Sequence, residues 1–97
     1  SIDLAILAAL LSSVREEPVS VDAVVLGEVG LTGEIRSVPR IADALEEAYR
    51  AGKNRFVVPA SAKSKLRRFE KREDVRVYYV SELNEACDLL FSKEISL

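Results

Sequence analysis

The chain opens on an almost unbroken apolar segment and then alternates between helical and extended patterns. Over residues 3–15, Leu4, Leu7, Ala8 and Leu11 recur at helical spacing, and Ile6 and Leu10 widen the stripe. The segment is apolar nearly all round until Ser12, which predicts a deeply buried helix, ended by Glu16-Glu17-Pro18. Residues 24–29 read as a buried strand, 30–33 as a turn, and Glu34-Ile35-Arg36 as a short returning strand. Ser37 is placed to cap a helix that carries Pro39 in its first turn and runs to about Ala51. Its apolar face is Ile41, Leu45, Ala48 and Tyr49, and Gly52 is its stop. Arg55-Phe56-Val57-Val58 is a strand closed by Pro59. Residues 61–71 predict a short basic helix with Leu66 and Phe69 inward, and residues 75–80 a further strand. Ser81 is the expected cap of a last helix that buries Leu83, Ala86, Cys87, Leu90 and Phe91, with Asn84 at the place where a full capping box needs an acid or glutamine. Helices alternating with strands argue an α/β fold, with helices covering a largely parallel sheet.

Composition narrows the class. At 97 residues the sequence allows one domain with a modest core, and 48% hydrophobic with 31% charged residues is an ordinary globular balance. There is no apolar run long enough to span a bilayer. One cysteine and no histidine exclude an internal disulfide framework and argue strongly against a zinc site; the lone thiol suits a reducing, cytoplasmic setting. The abrupt start at Ser1-Ile2-Asp3, without methionine, reads as a piece of a longer chain.

The string Gly27-Glu28-Val29-Gly30-Leu31-Thr32-Gly33-Glu34-Ile35-Arg36, with its flanks, carries a family resemblance. The flanks are Asp3-Leu4-Ala5, Leu11-Ser12-Ser13 with Arg15, Pro18, Val24-Val25-Leu26, Ser37-Val38-Pro39-Arg40, Leu45-Glu46-Glu47-Ala48, and Ala51-Gly52 before Arg55-Phe56-Val57-Val58-Pro59. Together they resemble the Lon-type peptidase domain, most closely its relative at the C-terminus of the bacterial RadA (Sms) DNA-repair family. The match is dense over the first sixty residues and only architectural after that. The resemblance implies a ribosomal-protein-S5-domain-2-like α/β fold, with residues 1–97 as a single Lon-like domain lacking its N-terminal β portion. It also implies a longer, hexameric, RecA-like motor that binds ATP, magnesium and, in a zinc-finger region, zinc, with no cofactor in this domain.

A Lon-type peptidase needs a serine nucleophile and a nearby lysine base. Ser1 falls near the serine position, but the lysine position holds Ala42, and no lysine occurs before Lys53. Alanine accepts no proton, so the expectation is a non-proteolytic domain; a Lon-type peptidase with a degenerate site is the alternative. The glycine run also lacks the spacing of a phosphate loop and leads into a strand, which argues against nucleotide binding here. Glu28, Glu34, Arg36 and Arg40 around the hairpin are the expected subunit contacts.

Charge is unevenly spread. Nine of the fourteen basic residues lie between 53 and 76, opposed there only by Glu70, Glu73 and Asp74, although the whole chain carries a net charge of −2. Lys63, Lys65, Arg67, Arg68, Lys71 and Arg72 are the candidate DNA contacts, since such a face meets phosphates without reading sequence. An ordinary solvated helix face is the competing reading. Cys87, one helical turn from Leu83 and Leu90, reads as a small buried hydrophobe.

Overall fold

The computed structural model describes residues 2–18 and 22–91. Strand β1 (Ile2–Asp3) leads into helix α1 (Leu4–Arg15). Asp3 caps that helix, its carboxylate accepting from the Ile6 N–H at 3.1 Å, and Glu16 closes it in a left-handed conformation. Next come β2 (Val24–Val25), β3 (Glu28–Val29), β4 (Ile35–Arg36), helix α2 (Ile41–Arg50) and β5 (Arg55–Pro59). A 3₁₀ helix (Ala60–Lys65), helix α3 (Arg67–Glu70), β6 (Arg76–Val80) and helix α4 (Leu83–Leu90) complete the described order.

The strands form two sheets. One is antiparallel, in the order β1-β3-β4; the other is parallel, in the order β2-β5-β6. The α/β class expected from the alternation holds, but the single largely parallel sheet does not: three of the six strands described form a separate antiparallel sheet. The segment 24–29, read as one strand, is two strands in different sheets. Gly27 makes the switch: its φ is +146°, and a Cβ there would lie 3.1 Å from Ile35 Cγ2 and 3.2 Å from Pro59 Cγ.

Strand β5 divides the core because successive side chains point to opposite faces. Val57 joins Leu4, Ala8, Val29, Ile35, Val80, Ala86, Leu90 and Phe91 on the side of α1 and α4. Phe56 and Val58 join Ile41, Leu45, Ala62, Leu66, Phe69 and Val75 on the side of α2 and α3. The parallel sheet is thus covered on both faces, as its near-continuous apolar strands require.

Four local expectations need correction. Helix α1 is not deeply buried: Ile6, Leu10 and Val14 are 57%, 53% and 80% exposed, because only the face carrying Leu4 and Ala8 meets the sheet. Ser37 does not cap α2; its hydroxyl lies 3.4 Å from the Val38 carbonyl, and Arg40, at φ +57°, occupies the N-cap position. The last helix is capped by Glu82, not Ser81, and a full capping box is present. The Glu82 side chain accepts from the backbone of Glu85, and the Glu85 carboxylate accepts from the N–H of Glu82. The basic helix expected over 61–71 is two short pieces, divided at Leu66, where φ is −112°. Leu66 and Phe69 do point inward. The stop at Gly52 is as expected: Lys53 N–H donates to the Ala48 carbonyl and Gly52 N–H to that of Tyr49, which is a Schellman closure.

Candidate nucleic-acid interface and hairpin

The basic segment follows from how its apolar residues are used. Ala62, Leu66 and Phe69 are buried and pin the 3₁₀ helix and α3 to the sheet. Lys63, Lys65, Arg67, Arg68 and Lys71 are thereby left exposed. The Lys63 ammonium lies 5.3 Å from the centre of the Tyr79 ring, whose hydroxyl donates to Glu70. That acceptor, together with burial as the larger cause, pushes the Tyr79 phenol well above its ordinary value.

Arg72 behaves differently from the other five. Its guanidinium lies 4.7 Å from the Tyr49 ring centre and 5.1 Å from that of Phe69, and it pairs with Glu46 on α2 at 3.0 Å. Phe69 in turn meets Tyr49 and Phe56 edge-on, at 6.0 and 5.1 Å. Arg72 therefore clamps α2 against α3, a role the charge run did not reveal.

The glycine hairpin is a braced turn. Gly30 N–H donates to the Glu34 carbonyl and Gly33 N–H to that of Gly30. The Glu34 carboxylate accepts from the backbone N–H and hydroxyl of Thr32, and from Arg36 at 3.1 and 2.5 Å. The Thr32 hydroxyl, then the backbone N–H of Glu34 itself, and then Arg36 hold the Glu34 carboxyl down at about 2. The base of the turn is tied to α4, with Ile35 N–H donating to Ser81 and Leu83 N–H to Gly33. Leu31 stands fully exposed at the tip. Of the four residues expected to make subunit contacts, Arg36 lies across from Glu28 in the ladder and pairs with Glu34, while Arg40 pairs with Asp43 at 3.1 Å.

Ser1 falls outside the described residues. Ala42 sits in the first turn of α2, half-buried against the core on that side. Among the described residues, no group of three His, Cys, Asp or Glu is placed to hold a metal ion. Burial pushes the Cys87 thiol up, which favours the unreactive protonated form. No described helix is long and apolar enough to cross a membrane.

Comparison with known proteins fixes the family. Residues 1–62 match the family model described as subunit ChlI of Mg-chelatase. Over 89 residues, 92% of this chain, the sequence is 42% identical to DNA repair protein RadA of Pseudomonas aeruginosa. The chain belongs to the family of that model and of the RadA proteins. DNA repair protein RadA of Haemophilus influenzae is also 42% identical, over 93% of the chain, and that of Streptococcus pyogenes 36% over 95%. The resemblance read from the glycine string is thereby borne out, and the RadA match extends well beyond the first sixty residues. The chain spans about a fifth of the length of these curated relatives: 19% of the first two and 20% of the third.

Proposed function

We propose that this chain is a non-proteolytic, Lon-like scaffold and DNA-contact domain of a RadA-type repair protein. The observation that carries the reading is the exposed basic face of residues 63–71, in a relative of proteins named for DNA repair. Five cations stand in solvent while Leu66 and Phe69 hold their backbone on the core, so the charges are presented from a fixed surface. Such a surface gains affinity by releasing counterions from a duplex.

In this reading the fold is of the ribosomal-protein-S5-domain-2 type. The braced hairpin, with Glu28, Glu34, Arg36 and Arg40, meets the neighbouring subunit of a hexameric ring. ATP, magnesium and zinc belong to other parts of the longer motor. Ala42 offers no proton acceptor, so the domain contributes position and contact but no chemistry.

The test is duplex affinity against salt for the full-length protein carrying Lys65→Glu, Arg67→Glu and Arg68→Glu. Binding should weaken and the slope of log affinity against log salt should fall by about 2–3, one phosphate per lost cation. Unchanged affinity and slope would remove this face from the account.

A further inference from the structure

The ladder between β5 and β6 sets two arginines side by side. Arg55 is in register with Arg76, one strand spacing of about 4.8 Å away, and both are exposed. The register is not free to slip. The Arg76 N–H donates to the Asn54 carbonyl at 2.8 Å, and four further pairs, Phe56 with Val77 through Pro59 with Val80, fix the alignment. Shifting by one residue would turn the buried side chains of these strands to the wrong faces. By the same alternation Arg55 shares the face of Val57, and Arg76 that of Val80, the side of α1 and α4.

Like charges directly opposite each other in a ladder destabilise it. Arginine does not relieve the repulsion by losing its proton. Among the described residues neither guanidinium is in an ion pair; the pairs formed there use Arg15, Arg36, Arg40 and Arg72. Asp74, close in sequence to Arg76, accepts instead from the Tyr49 hydroxyl at 2.8 Å.

We propose that Arg55 and Arg76 form a phosphate seat for the nucleic-acid backbone at the N-terminal end of the parallel sheet. This rests on the DNA-contact reading and extends it from the basic helix to a second place on the domain. Two planar guanidinium groups on one face present paired donors that suit a phosphodiester, whose charge offsets their repulsion. Lys53, two residues before Arg55, adds a further cation close by in sequence.

The test uses the full-length protein with Arg55→Gln and Arg76→Gln together. Duplex affinity should fall about tenfold, with a salt slope shallower by about 1–2. Without DNA, the same variant should melt higher than the parent at low salt, and the difference should vanish at high salt. That opposite movement separates a binding seat from a structural pair. Unchanged affinity and slope would overturn the proposal, as would weaker binding with a lower melting temperature. Inorganic phosphate is the control probe: if it stabilises only the parent while duplex binding is equal in both, the seat takes small anions and the DNA assignment falls. If the basic-helix reversal weakens binding and the glutamine pair does not, this inference alone fails. If neither does, the DNA-contact reading fails with it.

Discussion

At the scale of single residues, two charged side chains that look alike in sequence do unlike work. Arg72 and Arg67 both belong to the basic run, yet Arg72 covers two rings and pairs with Glu46, while Arg67 is exposed. Arg72→Ala should therefore cost about 1–2 kcal/mol in urea unfolding, from the lost ring contacts and a half-exposed ion pair. Arg67→Ala should stay within about 0.5 kcal/mol. Glu34 supplies a pH dependence. Its folded carboxyl titrates at about 2 against an ordinary 4.5, so its contribution is fully present above 4.5 and is lost as pH falls toward 2. Melting temperatures from pH 6 to pH 2 should show a fall that Glu34→Gln removes in part. Identical pH profiles would mean that the brace adds nothing.

At the scale of elements, sequence rules located the pieces better than their joints. The periods of α2, β5 and β6 were legible because one residue type repeats at one spacing. The run Val24-Val25-Leu26-Gly27-Glu28-Val29 hid a change of sheet, since nothing apolar marks the place where the ladder partner changes; only the φ of Gly27 does. Gly27→Ala should cost about 1–3 kcal/mol, from a left-handed backbone and close contacts with Ile35 and Pro59. Denaturant midpoints measure it, and an unshifted midpoint would contradict that reading of the switch. The cap of α4 was misplaced by one residue for a related reason. Serine is the stronger local signal, but the Ser81 carbonyl is taken by Ile35 and Leu83 is tied to Gly33, which leaves Glu82 at the cap. Tertiary bonds from the hairpin overrode the local preference.

At the scale of the whole molecule, one parallel sheet separates two apolar clusters, and the basic segment rides on one of them. Phe56, fully buried and edge-on to Phe69, links that segment to the sheet. Phe56→Ala should cost about 3–5 kcal/mol and loosen the surface that carries the cations. The glycine string made the family legible from sequence, and the spacing of lysines and arginines made the basic face legible. What sequence could not supply was pairing: which cation is held by an acid and a ring, which two arginines share a ladder rung, and that α1 covers the core with one face only. Each depends on a neighbour distant along the chain.

The most direct measurement is photo-crosslinking in the full-length protein. A benzophenone side chain is placed at Lys65 in one variant and at Leu31, the hairpin tip, in another, each irradiated with duplex DNA. The expected result is a protein–DNA adduct from position 65 and a protein–protein adduct from position 31. Capture of a second copy from position 65, with DNA captured only from position 31, would contradict the assignment of the basic face to the duplex.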